Sequence, residues 1–569
     1  MNYNKSLFEG VPKKNPNKSR FNLSHEHKLA FRPGFLTPVL TLETMPGDYF
    51  QIDTEFMFRF SPMYYPVMQK YTMRCDYFYV PNRILWPSVD DEHPAESGWT
   101  AFIQNLGSVA IDHPTVDYEA KLQTLYANNQ VLSYMGIPLI DAGPNTTTEI
   151  TSLNALPLSA YLKIWDEYYR NTQLEVARWF RLQNGDNTTA FGVAFADWQS
   201  TVGLTGQEYM CAPAKWEKDY FTSALPTPQI GEAILVPSLG YNDDGTIKPS
   251  IVYNPDGTVA AAGTVAIDAN GELGSSATAG QVALETQATI RQLRLAETLQ
   301  SYYERLMKIG NRYRDYIEGM FGHDPMPLTI DRPVLIGSKF GRVQISDVMT
   351  TAYTSTTNKT GDFVGQANLY ESGGYELDQF CGEHGWIIAI LQVNPNTNYG
   401  QGIDRFWRRT LPTEYPMDMF SSIGDQEILK EEVLYNARTT ESAKNQETFG
   451  YIPRFAEMKY KNNLTVGELL FNFGQSMTDV RLWDRSVIHG ADYDSAIEIN
   501  APFVDVAYHD GTSGVGNTGG HTRTSDIFRV LPSNQADVTS LESPIFAHLF
   551  HSIKVDRQLP VYSTPRLAN

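Results

Sequence analysis

Two histidines flank a glutamate in His25-Glu26-His27, the nearest approach in this sequence to a metal-binding motif. On a strand, residues i and i+2 face the same way, so both imidazoles could reach one ion. Spacing places no third ligand, and a polar strand is the simpler reading. Asp90-Asp91-Glu92-His93 reads in the same way as a solvated acidic loop. The turns Asn242-Asp-Asp-Gly245-Thr and Asn254-Pro-Asp-Gly257-Thr resemble fragments of a calcium loop. They lack its twelve-residue spacing and closing glutamate. Gly514-Val-Gly-Asn-Thr-Gly519 has GxGxxG spacing, but no convincing helix opens after it, as a dinucleotide site requires. Gly511-Thr-Ser513-Gly514 is not a nucleophile elbow. Glu431-Glu432 is an acidic pair whose members point apart on a helix, which predicts a solvated face rather than acid–base work.

Cations offer more. Arg405-Phe-Trp407-Arg408-Arg409 combines guanidinium groups with stacking rings, as single-strand nucleic-acid surfaces do. Cation–π packing or an interface salt bridge is the competing reading. The first twenty residues carry Lys5, Lys13, Lys14, Lys18 and Arg20 against one carboxylate, Glu9. Pro12 and Pro16 keep this stretch from forming a helix, so it reads as an extended basic arm over 1–20. Its alternative role is to clasp a neighbouring subunit. These local charges stand out because the 569-residue chain has a net charge of -20, which excludes bulk neutralisation of a polyanion.

The elements that must position these groups are mostly strands. Charged residues are only 19% of the chain, below the usual quarter, and this argues against disorder. Aromatic residues reach 12%, with 42 Gly and 32 Pro, a composition suited to β-structure with many turns. Tyr49 to Phe60 alternates strictly, with Phe50, Ile52, Thr54, Phe56, Phe58 and Phe60 on one face. Pro46-Gly47-Asp48 before it is a turn. Met73–Val80, Phe35–Leu42, Gly385–Val393, Phe503–Tyr508, Ile527–Leu531 and Phe546–Val555 are further strands. Pro38 predicts an edge or a bulge for its strand. Helices are predicted at 159–170, with Ser159 as N-cap, and at 288–307, with shorter ones at 426–435 and 466–473.

Residues 238–284 hold no Phe or Trp and repeat Asp-Gly and Asn-Gly turns at Asp244-Gly245, Asp256-Gly257 and Asn270-Gly271. That pattern predicts a projecting excursion of hairpins. Residues 511–520 form a second, glycine-rich loop. Three widely spaced cysteines fit no disulfide framework or zinc signature, and suit folding in a reducing cytoplasm. Residues 1–18 contain no secretory apolar run, and the longest apolar run, Trp386–Leu391, is too short to span a bilayer.

Several blocks resemble the major capsid protein of microviruses, the small tailless single-stranded DNA bacteriophages, and the gokushovirus-like branch in particular. They are Ser19-Arg-Phe-Asn-Leu-Ser-His25-Glu-His-Lys28, Met45-Pro-Gly-Asp48, Phe78-Tyr-Val-Pro81-Asn-Arg-Ile-Leu-Trp86 and Trp165-Asp-Glu-Tyr-Tyr-Arg170-Asn. Lys218-Asp-Tyr-Phe-Thr-Ser-Ala-Leu-Pro226-Thr-Pro-Gln229, Thr448-Phe-Gly-Tyr451-Ile-Pro-Arg454 and Leu559-Pro-Val-Tyr562-Ser-Thr-Pro565 follow in order. The resemblance implies a mainly β fold, an eight-stranded antiparallel jelly-roll β-sandwich of viral capsid type with large loop and helical insertions. Residues 21–569 would form that single domain, with 238–284 as a three-fold protrusion. It implies a structural protein, not an enzyme, that self-assembles into a T=1 icosahedral shell around circular single-stranded DNA. The implied partners are further copies of the chain, the packaged DNA, minor virion proteins and a host cell-surface receptor, with no membrane and no cofactor or metal. The implied location is the virion, assembled in the bacterial cytoplasm.

Our candidate DNA contacts are Lys13, Lys14, Lys18, Arg20, Arg405, Arg408 and Arg409. Candidate receptor contacts are Asp244, Gly245, Asp256, Gly257, Asn270 and Gly271. The alternative is a carbohydrate-binding or glycoside-cleaving β-sandwich, which would need two carboxyl groups across a cleft.

Overall fold

The computed structural model describes residues 18–60, 70–88, 98–104, 111–120, 131–138, 148–201, 209–231, 240–241, 247–248, 265–267, 273–275, 290–309, 312–322, 331–349, 363–371, 374, 376–400, 402–435, 442–466 and 545–562. The chain divides into two compact units, residues 1–226 with 325–569, and residues 227–324.

The larger unit is mainly β. Its main strands are β1 (Ser19–Asn22), β2 (His25–Phe31), β3 (Thr37–Thr44), β4 (Asp48–Phe60), β5 (Tyr71–Pro81), β6 (Val334–Arg342), β7 (Gln344–Met349), β8 (Phe363–Glu371), β9 (Leu377–Cys381), β10 (Gly385–Pro395), β11 (Asp425–Leu429), β12 (Thr448–Pro453) and β13 (Ile545–Arg557). Among the described residues, a seven-stranded sheet runs β1–β13–β4–β8–β7, with β2 also on β13 and β9 also on β4. A four-stranded sheet runs β6–β5–β10–β3. All these pairings are antiparallel.

The pleat explains the alternation in β4. Phe50, Ile52, Phe56 and Phe58 are buried, while Glu55, Met57 and Arg59 on the other face are exposed. β13 does the same with Leu549, Ile553 and Val555 inward and Phe546, Phe550 and Lys554 outward. β10 is buried without alternation from Ile387 to Leu391 because it lies between β3 and β5 and is covered on both faces. The turn into β4 uses Gly47 at φ +91°, a conformation that favours glycine. The two sheets share one apolar core, and Tyr77 of β5 donates its hydroxyl to Thr54 Oγ1 of β4 at 2.7 Å.

β3 is an edge strand, and its pairing with β10 shifts register opposite Pro38 and Leu40. The missing amide of Pro38 breaks the ladder there, as its position predicts. Val39 is left out of register, with consequences described below.

Three expectations are corrected. The helix expected at 159–170, α1, runs Leu156–Ile164 and continues as a π turn over Trp165–Tyr169. Ser159 is not its cap. Pro157 occupies the first turn, where its missing N–H costs nothing, and Asn154 Oδ1 accepts the Leu156 N–H at 2.9 Å. Ser159 Oγ instead accepts from Trp179 Nε1 at 3.1 Å. Residues 426–435 are not a helix: β11 pairs with β12, and only one turn, Lys430–Val433, is helical. Gln426 and Ile428 alternate inward in that strand, which a helical reading of the same residues obscured. Glu431 and Glu432 are buried at 1% and 7% exposure, not solvated.

The smaller unit contains α2 (Ile290–Ile309) and α3 (Tyr313–Phe321), which ends at Gly322 with φ +66°. Two short antiparallel pairs also lie in it. Gly240–Tyr241 pairs with Ile247–Lys248, and Val265–Ile267 with Leu273–Ser275. The turn residues Asp244, Gly245, Asp256, Gly257, Asn270 and Gly271 lie outside the described residues, as do Phe503–Tyr508, Ile527–Leu531, 467–473 and the 511–520 loop.

Candidate functional site

A second, smaller core in the larger unit gathers Tyr220, Phe221, Tyr399, Ile428, Val433, Phe449 and Ile452. Asp219 organises it. Its Oδ1 accepts the N–H groups of Phe221 and Thr222 at 3.0 and 2.8 Å, closing an Asx turn. Its Oδ2 accepts the hydroxyls of Tyr399 at 2.7 Å and Thr397 at 2.8 Å. The spacing of Asp219 and Thr222 was a readable turn signal that the sequence reading left unused.

On this core sit the three arginines of the 405–409 block. Arg405 Nη1 reaches Glu432 Oε1 at 3.3 Å, Arg408 Nη2 reaches Glu431 Oε2 at 3.0 Å, and Arg409 Nη2 reaches Glu457 Oε1 at 2.5 Å. Arg408 and Arg409 also lie 5.6 and 6.0 Å from the rings of Tyr435 and Tyr415. A cavity of about 100 Å³ lies between Tyr220, Tyr399, Arg405, Glu432 and Tyr460. Burial pushes the Glu432 carboxyl up to about 7, against the opposing pull of Arg405. Tyr220 donates to Glu432 Oε2 at 3.2 Å. Gly402 has no room for a side chain, because a Cβ there would stand 1.8 Å from the Glu432 carbonyl oxygen. The carboxylates lining this cavity are paired with cations, Glu432 and Glu457 with arginines and Asp404 with Lys461, unlike the free pair that glycoside cleavage needs.

The platform supports a run of exposed large apolar side chains. Trp407 is 74% exposed and Met419 77%, with Phe406, Leu411, Tyr415, Met417 and Ile423 also exposed. Three 3-10 turns, Arg405–Trp407, Pro412–Glu414 and Asp418–Phe420, hold the run. Glu414 braces it by accepting the N–H groups of Thr410 and Leu411 at 2.7 and 2.9 Å. A surface so dense in apolar groups marks an association site.

The histidine pair sits elsewhere. His25 and His27 share a face of β2, and β13 brings His551 beside them, with ring centroids 5.2 and 6.3 Å from His551. His551 is fully buried. Val39 O, left out of the ladder by the β3 bulge, lies 3.1 Å from His551 Nε2 and 2.8 Å from His27 Nδ1. A carbonyl only accepts, so both nitrogens carry protons. His551 Nδ1 therefore accepts from Thr54 Oγ1 at 3.0 Å, and Thr54 in turn accepts from Tyr77. Burial drives His551 down to about 3, so it is a neutral hydrogen-bonding group. Nothing in the local sequence pointed to His551, because it is 524 residues from His27 in the chain. Among the described residues, no group of three His, Cys, Asp or Glu side chains is placed to hold a metal ion.

Of the arm, Lys13 and Lys14 lie outside the described residues. Lys18 Nζ donates to Gly47 O at 2.8 Å and lies 5.9 Å from the Phe380 ring. Arg20 makes a bidentate pair with Asp556 at 2.7 and 2.9 Å. Cys75, Cys211 and Cys381 are buried free thiols. Among the described residues, no helix is long and apolar enough to cross a membrane.

These features define a β-sandwich protein with an exposed apolar surface suited to association. Residues 10–486 match the model of the capsid protein (F protein) family, and the chain belongs to that family. It is similar to capsid protein VP1 of Chlamydia phage 1, at 25% identity over 541 residues, covering 81% of this chain and 86% of the relative. It is also similar to capsid protein VP1 of Bdellovibrio phage phiMH2K, at 25% identity over 531 residues, covering 88% and 91%. Capsid protein VP1 of Spiroplasma virus 4 matches at 23% identity over 507 residues, covering 83% and 85%. All three come from microviruses. Membership of a structural capsid family implies self-assembly and a place in the virion, and argues against an enzymatic role.

Proposed function

We propose that the chain is the major capsid protein of a T=1 icosahedral shell that encloses a circular single-stranded DNA genome and is assembled in the bacterial cytoplasm. The observation that carries this reading is the exposed apolar run from Phe406 to Ile423, seated on ion pairs that keep it in place. A second copy covering it would bury Trp407 and Met419, the kind of aromatic and methionine side chains enriched at interface centres.

The strand order supports an eight-stranded jelly roll. One face is β2–β13–β4 with β8 and β9, the other β3–β10–β5–β6. Along the chain, β2, β3, β4 and β5 alternate between these faces, the wrapping of a double Greek key. In this reading Lys13, Lys14, Lys18 and Arg20 of the arm meet DNA. Arg405, Arg408 and Arg409 offer charge to DNA only where their carboxylates are displaced. Residues 238–284, with the turns at Asp244-Gly245, Asp256-Gly257 and Asn270-Gly271, form the surface that meets a host receptor. Minor virion proteins complete the particle.

The test is sedimentation and electron microscopy of the full chain and of Trp407→Glu. The expected result is uniform small shells for the wild type and soluble, folded, unassembled Trp407→Glu. A wild type that stays monomeric at high concentration overturns the assembly reading. Replacing 238–284 by a short turn is expected to leave shells intact and abolish host attachment. Unimpaired attachment removes the receptor role.

A further inference from the structure

The outer face of the seven-stranded sheet holds a groove that the assembly surface does not use. Register fixes its composition. Ala30, Phe546, Arg59 and Asn368 lie side by side in one row across β2, β13, β4 and β8. Lys28, His548, Met57 and Tyr370 form the next row. Directly paired residues share a face, so both rows point away from the sandwich core. Between Lys28, Ala30, Met57, Arg59, Phe546 and His548 the groove encloses about 410 Å³.

Two properties of this groove are unusual for this chain. Its walls carry Lys28, Arg59 and His548, in a protein of net charge -20, and the carboxylate at its edge is Glu26, which reaches Lys28 at 3.0 Å and His548 Nε2 at 3.3 Å. Its floor and flank expose rings: Phe546 is 53% exposed, Tyr370 70% and Phe550 39%. Arg59 makes no ion pair among the described residues. Lys28 is paired only with Glu26, at 3.0 Å and with both side chains mostly in water. Such a pair is weak and yields readily to a stronger anion. Glu55 lies beyond Met57 on the same face, so the cationic zone is bounded at the end nearer Phe550. Arg20 of the arm lies on this face as well, opposite Asp556.

We propose that this groove binds single-stranded nucleic acid, with unpaired bases stacking on Phe546 and Tyr370 and phosphates held by Lys28 and Arg59. Cations interleaved with exposed rings on a sheet are the chemistry of sequence-tolerant single-strand binding. The site rests on the reading that the shell encloses single-stranded DNA. It adds where, on the described surface, the chain grips it.

The experiment uses the full-length chain and a fluorescent twenty-nucleotide oligothymidine, with a duplex of the same length as control, read by anisotropy across a salt series. The wild type is expected to prefer the single strand, because a duplex hides its base faces. Phe546→Ala is expected to weaken single-strand binding about tenfold and leave duplex binding unchanged. The pair Lys28→Ala with Arg59→Ala is expected to lower the salt slope by about 1.4, at about 0.7 per lost phosphate contact. Phe546→Leu retains an apolar side chain of similar reach and guards against a folding defect, with the same loss expected. Photocrosslinking of the wild type to an iodouracil oligonucleotide is expected to label peptides of β13 and β8. Unchanged affinity in all variants, or crosslinks confined elsewhere, overturns the groove. Loss of assembly with unchanged oligonucleotide affinity overturns it too, and assigns the face to a protein contact. Failure of the genome reading is distinct: wild-type shells would then form without nucleic acid, whatever the oligonucleotide result.

Discussion

A histidine network in the sandwich and the glutamates of the smaller core are both buried ionisable groups that dispose of charge in opposite ways, although elsewhere the sandwich also buries carboxylates in ion pairs, Asp48 with Arg557 and Asp76 with Arg74. In the sandwich, His551 stays neutral and spends both ring nitrogens on hydrogen bonds to Val39 O and Thr54 Oγ1. In the smaller core, Glu431, Glu432 and Glu457 face Arg408, Arg405 and Arg409. A neutral network tolerates full burial because no charge is desolvated. An ion pair tolerates it only with its partner in place. The arginines brace the apolar run from positions that range from nearly buried, Arg409, to half exposed, Arg408, while the histidine network links β2, β3, β4, β5 and β13 deep inside.

The two designs respond to pH with opposite sign. His551 falls from an ordinary 6.5 to about 3 in the folded chain, so between those values the unfolded state binds more protons. Its contribution to stability is complete above pH 6.5 and is lost as pH falls, at about 1.4 kcal/mol per pH unit inside that window. Glu432 rises from 4.5 to about 7, so between those values the folded state binds more protons. Its contribution is complete below pH 4.5 and is lost as pH rises through 7.

The largest expected effect follows from breaking the histidine side. His551→Ala leaves a cavity and orphans Val39 O and Thr54, and is expected to cost about 3 kcal/mol in urea unfolding at pH 7.5. It should also flatten the loss of stability between pH 6 and 4. An unchanged acid slope would break the contrast. Next comes Arg405→Ala, expected to cost about 2 kcal/mol at pH 8, where it strands a buried carboxylate, and clearly less at pH 5, where Glu432 is protonated. Equal cost at both values would remove the ionic account of the smaller core. Glu432→Gln should give a smaller change, abolishing the decline in stability between pH 4.5 and 7 when midpoints are compared at pH 5 and 7.5. Smallest of all, Trp407→Ala should shift the unfolding midpoint by no more than about 0.5 kcal/mol while preventing assembly. A large stability loss would show that Trp407 serves the core beneath it and not a neighbour.

Much of the sandwich was legible from local pattern. β4 and β13 declared themselves by period-two alternation of aromatic and aliphatic residues, and Pro38 marked the bulge that the register of β3 shows. The long helix α2 followed from its helix formers and apolar stripe. The first turn of α1 was misjudged because Ser159 is a good cap in isolation, while Asn154 and Pro157 together make a better start. Residues 426–435 were misjudged because the strand β11 exists through its pairing with β12, some twenty residues on.

The polar partners were not legible at all. The block Arg405-Phe-Trp407-Arg408-Arg409 announced cations and rings, yet the carboxylates that hold them come from Glu431, Glu432 and Glu457. His25 and His27 announced a shared face, yet their third member arrives from the last strand. By itself the sequence determined the class of fold, the strands that alternate, the turns, and the family to which its ordered blocks point, because pleat, propensity and turn chemistry act over a few residues. The tertiary structure alone decided which charges are neutralised, which histidine is buried and which rings remain in water. Those outcomes depend on how distant strands close against one another, and the cost of an unpaired polar group is set only when water has been removed from it.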